Sequence, residues 1–81
     1  MKSDLIKKNI LKIIKKMKHD DKINLETNLI SRGLLDSFDI IILVSQIEKK
    51  FKIKISGDKI NLKNFLNINK ISKLVKNVYH F

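Results

Sequence analysis

Aliphatic side chains recur at three- and four-residue steps in separate stretches of this chain, and no two stretches alternate in a way that would let them pair as a sheet. That spacing puts apolar groups on one stripe of a helix, so the chain is limited to helices packed stripe against stripe. In the first stretch, Asp4 to Lys18, the stripe is Leu5, Ile6, Ile10, Ile13, Ile14 and Met17, with Lys7, Lys8, Lys12, Lys15 and Lys16 opposite. Ser3 is placed to cap its start. From His19 to Leu35 the periodicity dissolves into a polar, turn-rich run carrying isolated Ile23, Leu25, Leu29 and Leu34. A loop of ~17 residues is long for a small domain unless it is functional or pinned by its own apolar anchors, and the spaced aliphatics predict pinning across the core.

Helical spacing returns at Asp36 and runs to about Phe51. Asp36 is a good N-cap, and Asp39 three residues later gives an approximate capping box with favourable charge in the first turn. Projected at 100° per residue, Ile40, Leu43, Val44, Ile47 and Phe51 form the core stripe, while Phe38, Ile42 and Ser45 lie opposite and Ile41 lies at the flank. The three apolar residues off the stripe are read as an exposed partner-docking patch, with Ile41 the one of them set nearest to facing inward. Phe51 to Ile55 alternates with period two, but a lone five-residue strand has no partner, so this segment is read as an extended connector. Ser56, Gly57 and Asp58 then turn the chain, Leu62 to Leu66 is a short helical turn, and Asn67 caps a last helix carrying Ile68, Ile71, Leu74, Val75 and Val78. The predicted architecture is all-α, a small four-helix bundle of three longer helices and one short one, with residues 1–81 as a single domain.

A domain of 81 residues buries only roughly 60–65% of the surface its unfolded chain exposes, so its core is thin. There is no cysteine for a disulfide or thiolate metal site, and His19 and His80 lack the spacing of metal ligands. The longest apolar run, Ile40 to Val44, falls far short of the ~20 residues of a membrane span, and no continuous apolar signal core follows the lysine-rich start. The expectation is a cytoplasmic monomer without stable membrane insertion. The formal net charge of +10 raises the possibility of a module binding nucleic acid or anionic lipid. Against it, Arg32 is the sole arginine, whereas base and bidentate phosphate readout favour the guanidinium fork. The lysines are also scattered through every segment, as a compositional bias would leave them; no nucleic-acid partner is expected.

The residues with chemical potential are Asp36 and Ser37. A hydroxyl at the first position of a capped helix is exposed, rigidly held, and set over backbone N–H groups that carry partial positive charge, which favours a phosphate ester there. Gly33 supplies the backbone freedom for the loop to turn sharply into the helix. Ser37 has no neighbouring histidine and no Gly-x-Ser-x-Gly elbow, so it is a poor enzyme nucleophile, and no catalytic residue is assigned.

The run Gly33-Leu34-Leu35-Asp36-Ser37-Phe38, followed by the helix from Ile40 to Phe51 and its Glu48-x-x-Phe51-x-Ile53 ending, resembles the acyl carrier protein family and its peptidyl and D-alanyl carrier relatives. Leu25 to Leu29 resembles the loop lead-in, and Ile71, Leu74 and Val75 sit where the last helix of the family packs. The resemblance implies that Ser37 is esterified by 4′-phosphopantetheine from coenzyme A, and that the arm's terminal thiol carries an acyl or aminoacyl thioester. It implies that Asp36 serves recognition by the phosphopantetheinyl transferase, near the metal bound with coenzyme A. Phe38, Asp39, Ile41 and Ile42 are then the docking residues for the transferase, a loading ligase and a downstream acyltransferase or synthase. The carrier itself catalyses nothing. Familiar fatty-acid carriers are acidic around the recognition helix, whereas here Lys49 and Lys50 follow Glu48, which points to a specialised pathway outside housekeeping fatty-acid synthesis. The cargo stays open, as does an unmodified protein-interaction bundle that would need no Ser37.

Overall fold

The computed structural model describes residues 3–79, and every regular element among them is helical. Helix α1 spans Ser3–Lys18, α2 spans Ser37–Phe51 and α3 spans Ile68–Tyr79, with 3₁₀ turns at Gly57–Lys59 and Leu62–Phe65 between the last two. The long polar run before α2 is irregular, as its lost periodicity predicts.

One core joins the three helices and the second 3₁₀ turn. From α1 it takes Ile6, Ile10 and Ile14, from α2 the full predicted stripe of Ile40, Leu43, Val44, Ile47 and Phe51, and from α3 Ile68, Ile71, Leu74 and Val75. Ile13, Met17 and Val78 are half-buried against its margin. Leu5, expected on the α1 stripe, stands exposed instead, because it lies a step to one side of the Ile6-Ile10-Ile14 line that faces α3. Ser3 is already helical, so it is not the cap; the cap position of α1 and His80 both lie outside the described residues.

The irregular segment is pinned as expected. Ile23, Leu29 and Leu35 are buried in the common core. The Leu29 N–H donates to the Leu66 carbonyl at 2.8 Å and the Asn69 N–H to the Leu25 carbonyl at 3.2 Å, which ties the loop to the second 3₁₀ turn and to α3. Side chains satisfy further loop amides: Thr27 Oγ1 accepts from Asn24 N–H, and Asn28 Oδ1 from Ser31 N–H, each at 2.9 Å. Such local bonds offer the backbone an alternative to helix, which is what Asn24, Thr27 and Asn28 supply here.

The alternating segment after α2 is extended without a partner strand, and Glu48 supplies the reason. Lys52 closes α2 in the left-handed conformation (φ 56°), and the Glu48 carboxylate then reaches along the chain to accept the Ile55 N–H at 2.8 Å. Phe51 and Ile55 turn into the core while Lys52 and Lys54 face out. The period of two reflects one buried edge of a connector. The second 3₁₀ turn is capped by Asn61, whose Oδ1 accepts the Asn64 N–H at 2.9 Å, and α3 by Asn67, whose Oδ1 accepts the Lys70 N–H at 2.8 Å.

Candidate functional site

The start of α2 is built as a fixed corner. Gly33 sits at φ +70°, a conformation strained for any residue with a Cβ, and reverses the chain. A Cβ there would meet nothing, so conformation and not space selects glycine. The Leu34 and Leu35 N–H groups then both donate to the Leu29 carbonyl at 2.9 Å, closing the turn.

Leu35 and Ile40, at the positions before the cap and four into the helix, are both buried in the core, the placement of a hydrophobic staple that fixes the entry angle of the chain. Between them the predicted capping box is complete. Asp36 Oδ1 accepts the Asp39 N–H at 2.8 Å, and Asp39 Oδ2 accepts the Asp36 N–H at 3.2 Å. The same Asp39 oxygen receives Lys18 Nζ at 3.2 Å, from the last residue of α1. This is the single ion pair among the described residues, and it ties the end of one helix to the start of the next. The Asp36 N–H, opposed by partial burial and aided by Lys18, holds the Asp39 carboxyl below its ordinary value of 3.8.

Ser37 occupies the first helical position with its side chain exposed. Beside it opens a shallow groove of about 450 Å³ lined by Ser37, Ile40, Ile41, Ile60, Asn61 and Leu62. Phe38, Ile41 and Ile42 stand at steps of three and four residues on the outer face of α2, with Phe38 70%, Ile41 63% and Ile42 37% exposed. Ile41 therefore stands out with the other expected docking residues, and Ile42, not Ile41, is the one of the three nearest the core. The flank of Ile41 faces the open groove, and no third helix closes over it.

Two parts of the site were not visible in the sequence. Lys18 is 21 residues from Asp39, beyond any local pattern, and Ile60 and Leu62 reach the groove only through the placement of the 3₁₀ turns. Asp39, expected as a docking residue, spends its carboxylate on the helix start and is only partly exposed. No cluster of metal-ligating side chains occurs among the described residues, nor does any helix there have the length and apolarity to cross a membrane.

An exposed hydroxyl on a rigid, capped helix start, with a shallow and largely apolar groove beside it, suits a small helical carrier that holds a covalent group. The model of the phosphopantetheine attachment site family matches residues 6–76, and the chain belongs to that family. Its members carry covalently attached 4′-phosphopantetheine, and the chain is accordingly a phosphopantetheine carrier of the acyl-carrier type. Comparison with curated proteins and with solved structures gave no match.

Proposed function

We propose that Ser37 is the attachment point of the arm. The observation that carries this reading is the exposed Ser37 hydroxyl at the first position of the capped α2, beside the groove with Ile41 and Leu62. The helix N-terminus favours a phosphodiester at that oxygen, and the groove accepts the apolar part of what is attached. In the transfer, Ser37 Oγ forms a bond to the phosphorus of the pantetheine half of coenzyme A. The bond to the nucleotide half breaks, that half leaves with the electron pair, and the serine proton passes to a base of the transferase. Once attached, the arm supplies a terminal thiol that holds an acyl or aminoacyl group as a thioester.

The carrier's own residues position and present; catalysis belongs to its partners. Asp36 is read as both N-cap and transferase contact, and Phe38, Ile41 and Ile42 as the apolar docking stripe, with Asp39 acting through the helix start it fixes. The partners are a phosphopantetheinyl transferase, an acyl- or aminoacyl-loading ligase and a downstream acyltransferase or synthase. The whole chain acts as one domain, monomeric and cytoplasmic. Because the surface is basic, the proposed setting is a specialised pathway; extension by fatty-acid synthases as efficient as that of an acidic carrier would overturn it.

Intact-mass measurement after incubation with coenzyme A and a permissive transferase tests the attachment. The expected result is a gain of one phosphopantetheine in the wild type and none in Ser37→Ala. Asp36→Asn keeps an equally good cap while removing the charge, so slower modification with unchanged melting assigns Asp36 to the transferase. Absence of any gain in the wild type with several transferases sinks the reading.

A further inference from the structure

Charge is unevenly placed along this chain. Five of the eight carboxylates, Asp20, Asp21, Glu26, Asp36 and Asp39, fall in the segment that leads into α2 and in its first turn. Beyond residue 40 only Glu48 and Asp58 remain against nine lysines. Glu48 is already engaged by the Ile55 N–H.

The fold gathers four of those nine lysines around one concavity. Lys59 and Lys63, from the 3₁₀ turns, face Lys70 and Lys73 of α3 across a groove of about 440 Å³, with Leu74 and Val78 also lining it. All four lysines are exposed, and no carboxylate lines the groove. Like charges set around one hollow repel, and an entering anion relieves that repulsion. The walls are firm: the Asn64 side chain donates to the Lys59 carbonyl at 2.7 Å, and Phe65, Ile68 and Ile71 beneath them are fully buried. The segment from Lys59 to Asn64 is shared between two grooves. Ile60, Asn61 and Leu62 line the Ser37 side, while Lys59, Lys63 and Asn64 line this one. A protein engaged at Ser37 that reaches over this segment meets the lysines.

We infer that the groove between the 3₁₀ turns and α3 docks an acidic segment of a partner protein, whose Asp and Glu side chains enter between Lys59, Lys63, Lys70 and Lys73. A flat anionic membrane matches a concavity poorly, and the large exposed apolar side chains, Leu5, Phe38, Ile41, Ile42 and Leu62, all lie outside it. A nucleic acid is disfavoured by the absence of arginine from its walls. The inference deepens the carrier reading by assigning a second contact for the partners that use Ser37, and it makes their surface acidic there.

The test uses the full unmodified chain and a short oligoglutamate peptide as probe, with amide chemical shifts read by NMR. Shifts concentrated on residues 59–64 and 70–77 are expected. Changing Lys59, Lys63, Lys70 and Lys73 together to Gln should weaken peptide binding by about tenfold or more. The same loss of charge at Lys8, Lys12, Lys16 and Lys50 should weaken it by about twofold or less. Equal weakening by the two variants, or shifts spread equally over α1, overturns the inference in favour of diffuse charge. Stronger groove-dependent binding to phosphatidylglycerol vesicles than to the peptide also overturns it, assigning the face to lipid. Because Ser37 plays no part in this measurement, its failure is separate from a failure of modification.

Discussion

The two faces of α2 both carry large apolar side chains, yet the fold treats them oppositely. Leu43 and Ile47 are fully buried, while Phe38 and Ile41 on the outer side keep most of their surface in water. Folding accounts for the first set, since a stripe at three- and four-residue steps is what an amphipathic helix packs against its neighbours. It does not account for the second. Apolar side chains set side by side on an exposed face, next to the helix start that presents Ser37, gain their burial only when another surface covers them. The contrast separates residues that make the domain from residues that make it useful.

A matched pair of truncations breaks or sharpens that separation most directly. Leu43→Ala should cost roughly 2–5 kcal/mol of unfolding free energy, because a fully enclosed side chain leaves a cavity. Ile41→Ala should change stability by no more than about 0.5 kcal/mol, while slowing transfer from the loaded carrier to its partner enzyme. Urea titrations and transfer rates on the same two proteins decide the matter. A loss of stability in Ile41→Ala comparable with that of Leu43→Ala would mean that this face is covered in the free protein.

What the sequence made legible divides along similar lines. The bounds of α2, its Asp36 cap and its buried stripe follow from local spacing and side-chain bonding, and the structure reproduces them. Asn67 as cap of α3 and the pinning of Leu29 were readable for the same reason. Spacing ranks Ile41 as the outer residue nearest the core, yet Ile42 is the less exposed, because the angle of Ile41 on the helix is ambiguous. Its environment depends on whether another element closes that flank, and the 3₁₀ turns leave a groove there instead. Leu5 fails for a related reason, since periodicity gives the direction of a stripe but not its width. The lysines of the second groove looked like bias because Lys59, Lys63, Lys70 and Lys73 are scattered in sequence, and only the return of α3 alongside the 3₁₀ turns brings them together.

The contact between α1 and the start of α2 gives a small expected effect and a distinctive pH signature. Lys18 and Asp39 are about a quarter exposed (26% and 21%), so their pair at 3.2 Å is worth up to about 1 kcal/mol at neutral pH. Lys18→Met should lower stability by that amount at pH 7, keeping the apolar stem while removing the charge. Asp39 is held below its ordinary 3.8 first by the Asp36 N–H and then by Lys18. A carboxyl whose folded value is depressed stabilises the fold above its unfolded value, and this contribution is lost as pH falls through the folded value. The gap between wild type and Lys18→Met should therefore be full at neutral pH and close as the pH falls below the ordinary 3.8 and through the lowered value at which Asp39 takes up its proton. In the Asp39→Asn background, Lys18→Met should open no such gap at any pH. Denaturant midpoints for the four proteins at neutral and acid pH measure this. A gap that persists unchanged in acid would show that Lys18 holds the Ser37 corner through its packed stem, with the charge contributing nothing.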